Sequence, residues 1–204
     1  MIAVDSGQNV RYPGLPALNA KLLEIKQKML EVVETHKLRV IPLYTIVDGH
    51  CSCREPDCSS PGKHPLLRTS WKLIATHDRS KLEKWFARTD NFAVLTGHIE
   101  EDRHLVVVDF DEQGKKNPWV EQLKEITFGY ETGNGYHFWF FSKEKISNSA
   151  KLVGPGIDIR GEGGYVVIPP SRHVSGKRYK PYNGSFLPIA DFDSFPGKEF
   201  VKKA

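Results

Sequence analysis

His104-Leu105-Val106-Val107-Val108-Asp109-Phe110-Asp111-Glu112-Gln113-Gly114 is the stretch whose reading decides the fold. Leu105 to Val108, with Phe110, have the β-branched or apolar character of a buried strand. Two carboxylates stand at its C-terminal end, and Gly114 breaks it soon after. Side chains alternate across a strand, so Asp109 and Asp111 are expected on one face, roughly 7 Å apart at Cα from a rise of ~3.4 Å per residue. That spacing suits one or two divalent ions, which lie roughly 3.5–4 Å apart in two-metal phosphoryl-transfer sites. The competing reading is a strand running into an Asx turn, in which aspartate satisfies backbone donors. Taken alone, an Asp-x-Asp after an apolar run favours the turn.

The neighbouring segments supply further chemistry. Thr127 to Thr132 and Tyr136 to Phe141 read as two strands joined by Gly133-Asn134-Gly135, a hairpin with strong turn chemistry. His137 lies just inside the second strand, where glycine N–H groups are open to an anion and the imidazole adds a donor. In Gly156-Ile157-Asp158-Ile159-Arg160-Gly161, Asp158 and Arg160 share one strand face. Such a pair on a surface is worth little; beside Asp109 and Asp111 it would give a third metal ligand and an arginine for phosphate. Tyr165 to Ile168 read as a buried strand. Ser171 to Tyr182 follows, holding Arg172, Lys177, Arg178 and Lys180 without an acid.

All three cysteines fall in Cys51-Ser52-Cys53-Arg54-Glu55-Pro56-Asp57-Cys58, and His64 follows in Pro61-Gly62-Lys63-His64-Pro65. A disulfide framework is not distributed so tightly. The pattern C-x-C-x4-C-x5-H offers three thiolates and an imidazole to a tetrahedral, structural Zn²⁺, with His50 as an alternative ligand. Elsewhere, Leu18 to Lys37 has the apolar spacing of a helix. Leu38 to Ile46 reads as a strand, at an edge or interrupted at Pro42. Ser80 to Glu83 has the pattern of a capping box opening a helix, Asn91 to Thr96 reads as a strand, and Pro118 to Glu125 as a short helix.

With 204 residues, 39% hydrophobic and 26% charged, the chain has the make-up of an ordinary globule. No apolar run approaches the roughly 20 residues of a membrane span. The N-terminus lacks the order of a secretory signal, which points to the cytoplasm. A net charge of +4 permits a polyanionic partner without demanding one. A zinc deaminase is excluded: His98-Ile99-Glu100 gives half its signature, but no cysteine lies downstream.

Taken in order, the zinc loop, Val108-Asp109-Phe110-Asp111, Gly133-Asn134-Gly135-Tyr136-His137 and Gly156-Ile157-Asp158-Ile159-Arg160-Gly161 resemble the bifunctional primase-polymerase (prim-pol) domain of the archaeo-eukaryotic primase superfamily. The likeness runs from about Leu18 to Phe195. It implies an α+β fold, an RRM-like antiparallel sheet with flanking helices plus an N-terminal α/β unit and a zinc-binding loop. Residues 1–16 would be a lead-in and 17–204 the catalytic domain, with the loop at 48–66 inserted. By this resemblance Asp109, Asp111 and Asp158 hold catalytic Mg²⁺ or Mn²⁺. His137 holds the incoming triphosphate, and Arg160, Ser171 and His173 lie in the rest of the nucleotide pocket. Cys51, Cys53, Cys58 and His64 align with the family's zinc ligands. The activity implied is template-directed DNA polymerase or primase, a nucleotidyltransferase of a plasmid, phage or mobile-element replication protein. Its partners would be single-stranded DNA template, primer, dNTP or NTP, and a helicase domain or protein. De novo priming in this family commonly needs a following helical subdomain, so primer extension is expected more strongly than initiation. The rival classes are a two-metal nuclease and a non-catalytic, zinc-bearing DNA-binding module.

Overall fold

A computed structural model describes residues 20–66 and 70–204. The proposed lead-in, and the first two residues of the expected first helix, lie outside the described residues. In chain order the elements are α1 (Ala20–Thr35), β1 (Val40–Pro42), β2 (Ile46–Val47), β3 (His50–Cys51), α2 (Trp71–Ile74), α3 (Arg79–Phe86), β4 (Phe92–Leu95), β5 (Gly97–Glu100) and β6 (Arg103–Phe110). There follow α4 (Trp119–Ile126), β7 (Gly129–Glu131), β8 (Tyr136–Ser142), β9 (Ser149–Gly154), β10 (Ile157–Arg160), β11 (Tyr165–Ile168), β12 (Lys180–Pro181) and β13 (Ala190–Asp191). This is a mixed α+β fold of antiparallel sheets with few helices.

The large sheet runs β12-β7-β8-β6-β10-β9, with β13 beside β8 and β5 beside β6. Its pairings are antiparallel except β13 with β8. Strand β6, the stretch quoted first, therefore sits in the interior of the sheet, buried on both faces, which is why it reads as a near-continuous apolar run. Val106, Val108 and Phe110 join Phe138, Phe140, Ile157 and Ile159 against Val120 and Leu123 of α4 and Phe192 and Phe195. The alternate residues Leu105 and Val107 join Tyr130 and Trp139 on the other face. There they meet Met29, Leu30 and Val33 of α1 and the small sheet β1-β4-β11. Each fully buried Val, Leu or Phe contributes about 1.5–3 kcal/mol over leaving it exposed, so both faces of β6 hold it in register.

Local differences from the sequence reading have simple causes. The expected Leu38–Ile46 strand is broken, β1 ending at Pro42 and β2 starting at Ile46, as a residue without an N–H dictates. The helix after residue 78 is capped not by Ser80 but by Asp78, whose side chain accepts from Lys81 N at 3.2 Å. Ser80 Oγ donates to that same carboxylate at 2.7 Å. Asp78 stands just before the first helical residue, where its carboxylate meets the free amides and the positive end of the helix dipole.

Candidate functional site

Register builds the site. Asp158 pairs with Asp109 across β10 and β6, Asp109 pairs with His137 across β6 and β8, and His137 pairs with Tyr130 across β8 and β7. Directly opposed residues share a face, with Cβ atoms about 4.5–5.5 Å apart. The result is one row, Asp158–Asp109–His137–Tyr130, across four adjacent strands. It lies on the face of Val107 and Trp139, at the end of the apolar core where β6 turns polar.

The row is knit by polar contacts. Arg160 Nη2 stands 2.8 Å from Asp158 Oδ2 and 3.4 Å from Asp109 Oδ2. His137 Nε2 lies 3.2 Å from Asp109 Oδ1. Burial pushes the Asp109 carboxyl up, but His137 and Arg160 outweigh it and hold the group below its ordinary range. The other edge of His137 is locked: Nδ1 is 2.9 Å from the Tyr130 hydroxyl, which donates to Val167 O at 2.8 Å. With that single proton spent, the phenol oxygen accepts from His137 Nδ1 and from Trp139 Nε1, 3.4 Å away. Burial drives the Tyr130 phenol well above its usual value, so it serves as a neutral anchor. No sequence motif marks Tyr130. Counting back from the glycine turn, however, places it opposite His137.

Asp111 closes a turn through one carboxylate oxygen. The strand ends at Phe110, and Asp111 Oδ1 accepts from Gln113 N at 2.8 Å and Gly114 N at 3.1 Å. Its surroundings are tight. A Cβ on Gly156 would come 2.2 Å from Asp111 Oδ1, one on Gly114 2.2 Å from Gly156 O, and one on Gly135 1.8 Å from Phe110 O. Among the described residues, the group of three or more candidate ligands placed together as for a metal ion lies in the cysteine loop.

Ser171 and His173 lie on the hairpin after β11, closed by His173 N to Lys177 O at 2.8 Å and Tyr179 N to Ser171 O at 2.9 Å. Ser171 is fully buried, and its Oγ accepts from Phe92 N at 3.0 Å and donates to Phe92 O at 3.3 Å, both backbone groups of β4. The His173 ring lies on the glycine turn, where a Cβ on Gly133 would come 2.2 Å from it. Tyr179 sits between the two histidines, its ring centroid 6.1 Å from His173 and 6.4 Å from His137. Asp90 binds the hairpin's two arginines, 3.3 Å from each of Arg172 Nε and Arg178 Nη2.

Cys51, Cys53, Cys58 and His64 offer ligand atoms all within 4.8 Å of one another. His64 Nε2 stands 3.4 Å from Cys51 Sγ and 3.5 Å from Cys58 Sγ. A tetrahedral ion with Zn–S of ~2.3 Å and Zn–N of ~2.0–2.1 Å would set an S···N edge of about 3.6 Å. The loop therefore fits zinc by donor type and spacing. Burial pushes the Cys51 thiol up to about 11, so a bound cation is what would hold it as thiolate. His50 is exposed and not among the four.

An antiparallel α+β protein with a carboxylate–imidazole–guanidinium row and a Cys₃His loop is the class these features define. Residues 29–195 match the model of the bifunctional DNA primase/polymerase, N-terminal family. The chain belongs to that family, and with it to the primase/polymerase-type nucleotidyltransferases, whose substrates are DNA and nucleotides. No curated protein matches the chain. Among the described residues, no helix is long and apolar enough to cross a membrane.

Proposed function

We propose that the chain extends a primer on a single-stranded DNA template by two-metal nucleotidyl transfer, in an RRM-like arrangement of the large sheet. The observation carrying this reading is the row Asp158–Asp109–His137, set by strand register in a member of this family. Asp109 and Asp158 offer adjacent carboxylates to Mg²⁺ or Mn²⁺, and the all-oxygen donor set suits these hard ions. Asp111 would add the oxygen not committed to its turn. Bound ions would lower the pKa of the primer 3′-hydroxyl and neutralise the departing pyrophosphate. Arg160 now bridges both carboxylates, and its guanidinium suits the triphosphate oxygens. His137, fixed through Nδ1, keeps Nε2 on the site side to orient the nucleotide. His173 extends this wall along the glycine turn, and Ser171 contributes by pinning the hairpin to β4. The 3′-oxygen bonds to the α-phosphorus as the bond to pyrophosphate breaks, and no side-chain nucleophile is needed; positioning and charge carry the rate.

The same reading places the chain in a replication protein of a plasmid, phage or other mobile element, with a helicase as companion. The test is primer extension and unprimed synthesis on single-stranded templates, run with dNTPs and with NTPs, for the wild type and Asp109→Asn. Metal-dependent extension by the wild type, lost in the variant, is expected. Degradation of the primer would favour a two-metal nuclease. DNA binding indifferent to the substitution, with no incorporation, would favour the non-catalytic module.

A further inference from the structure

The zinc loop and the hairpin carrying Ser171, His173 and Tyr179 are far apart in sequence, and one side chain joins them. Asn91 is fully buried. Its Nδ2 donates to Gly62 O in the zinc loop at 2.9 Å and to Arg172 O in the hairpin at 2.8 Å. Its Oδ1 accepts from Arg172 N at 2.8 Å and from Thr45 Oγ1 at 2.9 Å. The amide thus fills its donor and acceptor capacity with groups from three separate segments. Gly62 is shaped for this approach: its φ is +72°, and a Cβ there would come 3.0 Å from Asn91 Nδ2. On its other side Gly62 donates its N–H to Cys51 Sγ at 3.4 Å. A continuous path therefore runs from a zinc ligand through Gly62 and Asn91 to the Arg172 backbone. From there the hairpin reaches the His173 ring on Gly133 and the Tyr179 ring beside His137. Tyr165 Oη, donating to Lys63 O at 3.2 Å, steadies the same edge of the loop.

We infer that Asn91 is a positioning residue through which the zinc-bound loop sets the hairpin against the nucleotide wall. Zinc then governs nucleotide binding more than the chemical step. This rests on the nucleotide-binding role proposed above for His137 and His173. A buried asparagine that merely closes a loop would affect stability alone, whereas a coupling element moves a binding constant.

Two measurements on the whole chain test it. In the first, amide hydrogen exchange is followed with zinc bound, after chelation, and after zinc alone is returned, zinc content being measured throughout. Faster exchange at Arg172, His173 and Tyr179 on zinc removal, reversed by zinc and leaving β6 and β8 protected, is expected. Faster exchange that stops at His64, or that spreads equally through β6, overturns the inference. In the second, dNTP incorporation is compared for the wild type, zinc-loaded Asn91→Ala, and each after chelation. KM for dNTP should rise about tenfold, within the 5–150-fold range of ordinary couplings, with kcat little changed. Chelating Asn91→Ala should add nothing, because both changes cut one path. Additive effects, or a fall in kcat with KM unchanged, overturn it. If Asn91→Ala does not fold, chelation of the wild type still decides. If the wild type incorporates no nucleotide, the proposed function fails while the exchange measurement still reports on the link.

Discussion

The cysteine loop and the carboxylate row are both candidate metal centres, assembled on opposite plans. The loop draws its ligands from one short run, Cys51 to His64, folded on itself by Pro61 and Gly62. The row draws Asp109, His137 and Asp158 from three strands and aligns them through hydrogen-bonded register. A loop of local ligands can be lost without moving the sheet, and a row set by register fails residue by residue without unfolding, since its backbone is held by two apolar cores.

Substitutions at each centre put these two plans to the test. Asp109→Asn should reduce primer extension by about 10³-fold, the scale of removing one group that stabilises developing charge, with circular dichroism unchanged; near-wild-type extension would detach the row from the chemistry. Cys58→Ser should abolish stoichiometric zinc, read by metal analysis, while the amides of β6 and β8 stay protected. Loss of protection there would mean that the loop is no separate unit. Tyr130→Phe frees Nδ1 of His137 and strips Val167 O of its donor. It should raise KM for dNTP about tenfold and cost about 1–3 kcal/mol of stability, read by steady-state kinetics and denaturant titration. Smallest of all, Asp78→Ala removes a helix cap whose side-chain contacts are to Ser80 and Lys81 and should lower Tm by about 2–4 °C, leaving activity and zinc unchanged. The Ser80 hydroxyl and the Lys81 amide hold the Asp78 carboxyl below its ordinary 3.8. That stabilisation is present above pH 3.8 and fades as the pH falls through the lowered value, so the Tm gap should close in acid.

The same contrast explains what can be read from the sequence. Ligands within one loop show in their spacing, so Cys51, Cys53, Cys58 and His64 are legible from residue order alone. Strand β6 is legible because burial on both faces leaves an uninterrupted apolar run, and the hairpin because its turn chemistry is local. That Asp158 faces Asp109 is not legible, since pairing between β6 and β10 is decided by packing across the whole sheet. The turn at Asp111 is legible only as one of two readings: the strand stops at Phe110, and the side chain closes the turn at Gln113 and Gly114. Asn91 leaves no signature, because its four partners come from three distant segments, and a polar residue before an apolar strand resembles any strand boundary. Ser171 has a recognisable neighbourhood but spends its hydroxyl on the backbone of Phe92.

The crowding around the end of β6 has a consequence for variation. Gly114, Gly135 and Gly156 belong to three different segments, and each leaves no room for a methyl group. Even alanine there would wedge apart strands that carry the carboxylates, though none of the three offers a functional group. In a saturation library these positions should score as intolerant as the acids beside them, marking a site shaped as much by missing atoms as by those present.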